Sequence, residues 1–214
     1  MKFLDELRAE HVLIDAVLGA FRSWVELRGE GKGEAADGAR FLAFFQLWAG
    51  HHHHAREELV LFPALVRELE LPVNRGPIHV LTGDHQRLGG LLEQLAPLLE
   101  GGAEMAAVRP LAIDYSRGLW LHLDAENSVL LPEAEFRLVR SGVHALPDRE
   151  PSAEERAARD AGIALVARYP GFEDLAIIRG EGCVICPAFG SRCDGVEKEW
   201  WNQSEWDELP HRVG

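Results

Sequence analysis

Apolar residues recur at steps of three and four along the start of the chain, which is the spacing of one helical face. The first such stripe contains Leu4, Leu7, Ile14, Leu18 and Phe21, and His11 occupies one of its positions. The stretch 29–37, GEGKGEAAD, interrupts this pattern with glycine and charge. We expect a second long helix from about residue 38 to residue 71.

Two further helices are predicted after the interruption at 71–77, LPVNRGP. The third presents one apolar face that includes a histidine: Ile78, Leu81, His85, Leu88, Leu92, Leu95 and Leu99. The fourth, from about residue 106 to 140, presents Val108, Leu111, Tyr115, Leu119, His122, Glu126 and Val129. Four amphipathic helices with short connections predict an all-α fold, an antiparallel up-and-down four-helix bundle over residues 1–142.

The second and fourth helices carry the same motif. The segments 53–63, HHAREELVLFP, and 122–132, HLDAENSVLLP, each have a histidine, a glutamate four residues later and a proline six residues after the glutamate. Residues four apart share a helical face, so each histidine and its glutamate point in one direction. The repetition predicts a site with two similar halves.

One histidine from each helix and the two glutamates make up a candidate metal-ligand set: His11, His53, Glu57, His85, His122 and Glu126. Imidazole and carboxylate suit iron or manganese, and a carboxylate can bridge two ions. A single histidine on an apolar face is more often a core residue than a ligand. Here four helices each contribute one, and burying unpaired carboxylates is costly. We therefore predict a two-metal site in the bundle core.

The run of four histidines leaves an alternative pair open, because His54 and Glu58 are also four apart. His53 and Glu57 are preferred, since their distance to Pro63 matches that of the second motif to its proline. Glu58 is then a second hydrogen-bond acceptor or an extra ligand. The remaining histidines of the run are expected to be partly solvated, hydrogen-bonding or surface residues: His51, His52 and His54.

Four segments together resemble the signature of the hemerythrin-like, or HHE cation-binding, family. They are EHVLIDAVL around His11, HHHHAREELVLFPAL around His53, GPIHVLTGDHQRL around His85 and HLDAENSVLLP around His122. The resemblance covers about residues 1–142. It implies two iron ions in a non-haem di-iron centre, bridged by two carboxylates and an oxo or hydroxo group, that meets oxygen, nitric oxide or hydrogen peroxide.

One position departs from the oxygen-carrying members of that family. Those proteins have H-x-x-x-H in the third helix, whereas Leu81 stands four residues before His85 in this chain. His79 is six residues before His85 and is expected at the surface. The ligand set is similar instead to the bacterial iron-centre repair proteins and to the hemerythrin domain of the mammalian iron-sensing F-box protein. This similarity implies sensing, small-molecule reduction or iron handling rather than reversible oxygen carriage.

The remainder, 143–214, differs in composition and resembles no family. A polar linker precedes Ser152 and Glu155, which predict a capping box and a short helix to about residue 168. Three cysteines follow: Cys183, Cys186 and Cys193. They are candidates for zinc with His211 or Asp194 as fourth ligand, for an iron–sulfur cluster, for a redox dithiol, or for unligated thiols. We expect an irregular extension here.

Charge and composition limit the partners. The formal net charge of −13 argues against nucleic acid. No apolar run reaches the ~20 residues of a membrane span and no signal peptide is visible, so we expect no membrane association and a cytoplasmic location. Interspersed acids and tryptophans in the tail indicate packing on the bundle, a homodimer or a protein partner: Trp200, Trp201 and Trp206.

Two functional hypotheses follow. The first is a di-iron oxidoreductase that reduces peroxide, oxygen or nitric oxide, with the cysteine tail supplying electrons. The second is a binding module that senses iron, oxygen or nitric oxide, or handles iron, while the tail contacts a partner. A bundle that is filled with zinc or is purely structural is the third interpretation.

Overall fold

The computed structural model describes residues 1–177 and residue 204 of the 214-residue chain. The cysteine and tryptophan predictions concern residues outside this described part: Cys183, Cys186, Cys193, Trp200, Trp201 and Trp206. The candidate fourth ligands Asp194 and His211 also lie outside it.

Residues 1–177 fold into helices joined by turns and loops, with no strand among them. In chain order the helices are α1 (Lys2–Gly29), α2 (37–69), α3 (Gly76–Glu100), α4 (105–140) and α5 (Ala153–Arg168). The expected helical positions are confirmed to within about two residues at most ends. Within this region no helix is both long enough and apolar enough to cross a lipid bilayer.

Local sequence explains where several helices begin and end. The glycine-rich stretch after α1 holds Gly31 and Gly33 at φ values of 77° and 76°, which side chains with a Cβ rarely adopt. The predicted capping box of α5 is confirmed. The backbone N–H of Glu155 donates to Ser152 Oγ at 3.1 Å, and the Ser152 N–H donates to Glu155 Oε2 at 2.7 Å.

Wide π-type turns interrupt the α-helical geometry of α2 and α4. They cover Phe44–His54 and Glu57–Leu61 in α2, and Glu126–Leu130 in α4. Two of them begin at a glutamate of the repeated motif and end shortly before its proline. Proline lacks an N–H and its ring clashes with the carbonyl four residues earlier, so a wider turn relieves the conflict inside a continuous helix.

Two apolar clusters fill the core, and a polar layer separates them along the four long helices. The first cluster includes Leu18 of α1, Phe45 of α2, Leu95 of α3 and Leu119 of α4. The second includes Leu7 of α1, Leu65 of α2, Leu81 of α3 and Leu131 of α4. Between these residues each helix carries a histidine, so the candidate metal ligands lie between the two apolar clusters.

Helix α5 packs on α1 and α2. Gly162 of α5 lies so close to the ring of Phe44 that a Cβ there would overlap the ring. Just beyond the helix, the Tyr169 hydroxyl donates to Asp37 Oδ2 at 2.7 Å, and Arg168 Nη1 donates to the same oxygen at 2.7 Å. The described part of the C-terminal extension is therefore in direct contact with the preceding helices, and a domain boundary near residue 142 stays a prediction.

Candidate metal centre

All six predicted ligands meet in the polar layer. Each is at most 7% exposed: His11, His53, Glu57, His85, His122 and Glu126. They come from four helices, as the stripe pattern predicted.

The first half of the site joins α1 and α2. The Nε2 atoms of His11 and His53 lie 2.9 Å apart. Glu57 Oε1 is 3.5 Å from His53 Nε2 and 3.8 Å from His11 Nε2, and Glu126 Oε2 is 3.4 Å from His11 Nε2. Two imidazole nitrogens and two carboxylates thus converge on one point.

The second half joins α3 and α4 in the same manner. The Nε2 atoms of His85 and His122 lie 3.1 Å apart. Glu57 Oε2 is 3.5 Å from His85 Nε2, and Glu126 Oε2 is 3.3 Å from His122 Nε2. Glu57 therefore faces the first histidine pair through Oε1 and the second through Oε2, whereas Glu126 faces one histidine of each pair through Oε2 alone.

The carboxylate oxygens are well suited to a cation. Neither oxygen of Glu57 or of Glu126 has a hydrogen-bond partner within the described residues, although both side chains are fully buried. Leaving such a group without a partner costs several kcal/mol. A bound cation would satisfy these oxygens, so the residues present fit a metal site.

His54, which the sequence left open as an alternative to His53, is a donor in addition to it and joins the second half. Its ring stacks on that of His85 with centroids 4.0 Å apart, and its Nε2 has no hydrogen-bond partner in the described region. Burial, together with the nearby His85 and His53 rings, lowers the pKa of His54 well below its usual value. A neutral ring with an unpartnered nitrogen is the form in which histidine binds a metal.

The donor atoms form two groups in which all atoms lie within 4.8 Å of one another. One group is His11, His53, Glu57 and Glu126, and the other is His54, Glu57, His85 and His122. Glu57 belongs to both. The cluster thus offers five imidazoles and two carboxylates to two adjacent positions.

Oxygen acceptors orient three of the four predicted histidines from the outside, and an aspartate faces the fourth beyond hydrogen-bond distance. The Nδ1 atoms of these rings face Asn127 Oδ1 (His11, 2.7 Å), Glu10 Oε2 (His53, 2.8 Å), Glu58 Oε1 (His85, 2.7 Å) and Asp84 Oδ2 (His122, 3.7 Å). The oxygens that face His11, His53 and His85 accept hydrogen bonds from Nδ1, which holds the Nε2 atoms of these rings toward the centre.

The electrostatics of the cluster favour added positive charge. Burial alone would lower the pKa of His11, but contacts with Glu126 and Glu57 raise it to about 10. Burial alone would raise the pKa of Glu126, but His122 and His11 hold it at about 2. The buried Glu126 carboxylate therefore remains ionised and attracts cations.

Glu10, the outer partner of His53, is itself held by Arg56. Burial alone would raise the pKa of Glu10, but hydrogen bonds from His52 and His53 and the charge of Arg56 hold it at about 2. Arg56 Nη1 donates to Glu10 Oε1 at 2.5 Å. Glu10 is thus ionised and can orient His53.

The structure corrects part of the expectation for the histidine run. His54 and His52 are buried rather than partly solvated, while the contact of His52 Nε2 with Glu10 Oε1 at 3.2 Å agrees with the hydrogen-bonding role that was one of the expectations. His51 is exposed, as expected. The alternatives His53/Glu57 and His54/Glu58 are therefore not exclusive. Both histidines belong to the donor groups, and so does Glu57. Glu58 lies outside these groups and accepts a hydrogen bond from His85.

A family model for the hemerythrin HHE cation binding domain matches residues 2–134. The chain belongs to this family. The matched hemerythrin domain contains all the donor residues described above and ends before α5. Comparison with curated proteins gave no match, and comparison with solved structures gave none either.

Of the outer acceptors only Glu58 was expected from the sequence, yet a regular signal marks all of them. Glu10 directly precedes His11 and Asp84 directly precedes His85, but each faces the histidine of the following helix. Glu58 and Asn127 directly follow Glu57 and Glu126, and each faces a histidine of another helix. The two-fold repetition thus extends beyond the ligands.

Proposed function

We propose that the hemerythrin domain holds two iron ions and that these react with or sense a small ligand such as oxygen, nitric oxide or hydrogen peroxide. The observation that carries this proposal is the convergence of two Nε2 pairs on two shared, buried and otherwise unpartnered carboxylates. Family membership in a cation-binding domain supports it. Nitrogen and oxygen donors of this kind suit iron.

The donors divide unequally between the two positions. His11 and His53 would hold one ion, whereas His54, His85 and His122 would hold the other. Glu57 and Glu126 would bridge them. With both glutamates shared, the His11/His53 position has one imidazole fewer than the other position, so a small ligand would bind there.

We also propose that the four long helices run antiparallel in up-and-down order. Along α1 and α3 the chain passes from the second apolar cluster through a histidine to the first. Along α2 and α4 it passes in the opposite sense. Alternating order across the same polar layer supports this arrangement.

Bound iron would supply electrons and an open coordination position. The apolar clusters on either side of the polar layer exclude water from the metal site. The outer acceptors keep the Nδ1 protons in place, so the imidazoles stay oriented while the ligand changes. The ionised Glu126 carboxylate would offset part of the charge of the ions.

Turnover separates the enzyme hypothesis from the sensor hypothesis. A di-iron oxidoreductase consumes many equivalents of peroxide or nitric oxide when a reductant is supplied. A sensing or iron-handling module binds ligand or releases iron without repeated turnover. The described residues support the metal site common to both hypotheses.

The decisive experiment is metal analysis of protein purified without chelator, with an anaerobic optical spectrum taken before and after air is added. We expect about two irons per chain and near-ultraviolet bands that appear on oxidation. His122→Ala and Glu126→Ala should lower the iron content sharply. The matched control is His79→Ala, because His79 is exposed and lies outside the donor groups.

Either of two results would overturn the proposal. Zinc alone in the purified protein, with no uptake of ferrous iron, would favour a structural bundle. Iron content that stays unchanged in both His122→Ala and Glu126→Ala would remove the site from the bundle core. Replacing Cys183, Cys186 and Cys193 by serine should leave the bundle irons in place, which tests whether the tail holds a separate site.

A further inference from the structure

Residues beyond the matched hemerythrin domain contact the histidine run. Both carboxylate oxygens of Asp148 accept from Arg56, from Nε and from Nη2, at 3.0 Å each. Arg149 donates to the carbonyl oxygen of His51 and to both oxygens of Glu155. The linker before α5 is therefore attached to α2 next to the metal ligands.

Arg56 is buried, and its guanidinium is shared among carboxylates. One edge pairs with Asp148, while Nη1 donates to Glu10 Oε1 and Nη2 donates to Glu6 Oε2 at 3.0 Å. The ring of Phe3 lies beneath it, 4.7 Å from Cζ. A guanidinium is a rigid planar fork, so a bidentate partner on one edge fixes the direction of the other edge.

Glu10 passes this orientation to a ligand. Its Oε2 accepts from Nδ1 of His53 at 2.8 Å, while its Oε1 accepts from Arg56. A carboxylate held at both oxygens cannot rotate freely. The ring of His53 is thereby held with Nε2 toward His11 and Glu57.

We propose that Asp148 is a positioning residue of the metal centre, which acts through Arg56 and Glu10 to hold His53 in its ligating orientation. The C-terminal extension then completes the centre from outside the family domain. This inference rests on the proposed two-metal function. Asp148 keeps 39% of its side chain exposed, so its effect should be smaller than that of a direct partner of a ligand.

The test is iron release from the full chain. Protein loaded with ferrous iron under anaerobic conditions is mixed with excess ferrous chelator, and release is followed optically. Loss of an outer partner such as Glu10 typically weakens metal binding 10–100-fold. Asp148 lies two steps further out, so we expect Asp148→Asn to release iron only roughly three- to tenfold faster than wild type.

Two controls separate positioning from charge and from general stability. Glu150→Gln makes the same charge change at an exposed neighbour of Asp148. Asp174→Asn removes another anchor of the extension, one that pairs with Arg22 and Arg117 away from the donor groups. Both controls should release iron at the wild-type rate.

A double-mutant cycle tests the route. If Asp148 acts through Arg56, then Asp148→Asn should add little to the release rate of Arg56→Gln. If Arg56→Gln does not fold, hydrogen exchange of residues 143–152 replaces the cycle, because the coupling is reciprocal and iron should slow exchange there in wild type but not in Asp148→Asn.

The outcomes distinguish the two proposals. If wild-type protein takes up no ferrous iron, the two-metal function fails and this inference fails with it. If wild type takes up two irons but Asp148→Asn releases them at the Glu150→Gln rate, only the positioning role fails. Fully additive effects in the cycle would also overturn the route through Arg56.

Discussion

Glu58 Oε1 accepts a hydrogen bond of 2.7 Å from Nδ1 of His85, although Glu58 lies at the surface and His85 is buried. This contact fixes which nitrogen of the ring carries the proton. It also raises the electron density at the opposite nitrogen, which faces the centre.

Glu58→Ala should therefore weaken metal binding without unfolding the protein. We expect a loss of roughly tenfold in affinity, because removal of an outer carboxylate leaves the His85 ring free to rotate. Equilibrium competition with a chelator measures it. Glu93→Ala, an exposed glutamate on the same helix as His85, is the control and should bind as wild type does. Equal affinities for the two variants would contradict the orienting role.

His54→Ala tests the fifth histidine. If His54 is a ligand, its loss should weaken the binding of one of the two ions roughly tenfold or more. Loss of His51, an exposed histidine of the same run, should not weaken it. Iron content after gel filtration should then fall toward one per chain, while His51→Ala keeps both ions. Two irons retained with wild-type affinity in His54→Ala would restrict the site to the six predicted residues.

The six central donors were predictable because helical period alone brings residues three and four apart to one face. His11 and His85 each replace an apolar residue in such a stripe, and periodicity needs no knowledge of partners. His54 could not be placed by the same rule. An ideal α-helix turns adjacent residues about 100° apart, whereas the wide turn over Phe44–His54 lets both His53 and His54 face inward.

The contacts of the extension were not predictable. The capping box of α5 depends on residues three apart, so Ser152 and Glu155 identified it. The pairing of Asp148 with Arg56 joins residues 92 positions apart, and no local pattern specifies it. Long-range ion pairs depend on the packed arrangement of helices, which a single sequence does not reveal.

Asp174 should make stability depend on pH. Hydrogen bonds from Arg117 and from the buried Arg22 lower the pKa of Asp174 far below its usual value. A lowered pKa in the folded state means that the stabilisation is complete above the unfolded value, about 4, and is lost as the pH falls from there toward the folded value.

Asp174→Asn should consequently destabilise the metal-free protein by roughly 1–3 kcal/mol at pH 7, because it leaves buried Arg22 without its charged partner. The gap from wild type should be constant above about pH 5 and shrink below about pH 4. Urea unfolding of both proteins at pH 7, 5 and 3 measures it. A gap that widens as the pH falls would show that the sign of the linkage is wrong.

Gly162→Ala tests the docking of α5, and Gly89→Ala in α3 is its control. A methyl group at Gly162 would overlap the ring of Phe44, which is fully buried and packs edge-on against Phe45. We expect Gly162→Ala to destabilise the fold by roughly 1–3 kcal/mol, since overpacking forces the ring or the helix to move. Gly89, in the interior of α3, has no neighbouring atom within 4 Å of an added Cβ. Gly89→Ala should therefore stabilise by up to about 1 kcal/mol. Urea unfolding of the two variants should give changes of opposite sign, and a stabilising Gly162→Ala would mean that α5 does not pack on α2 as described.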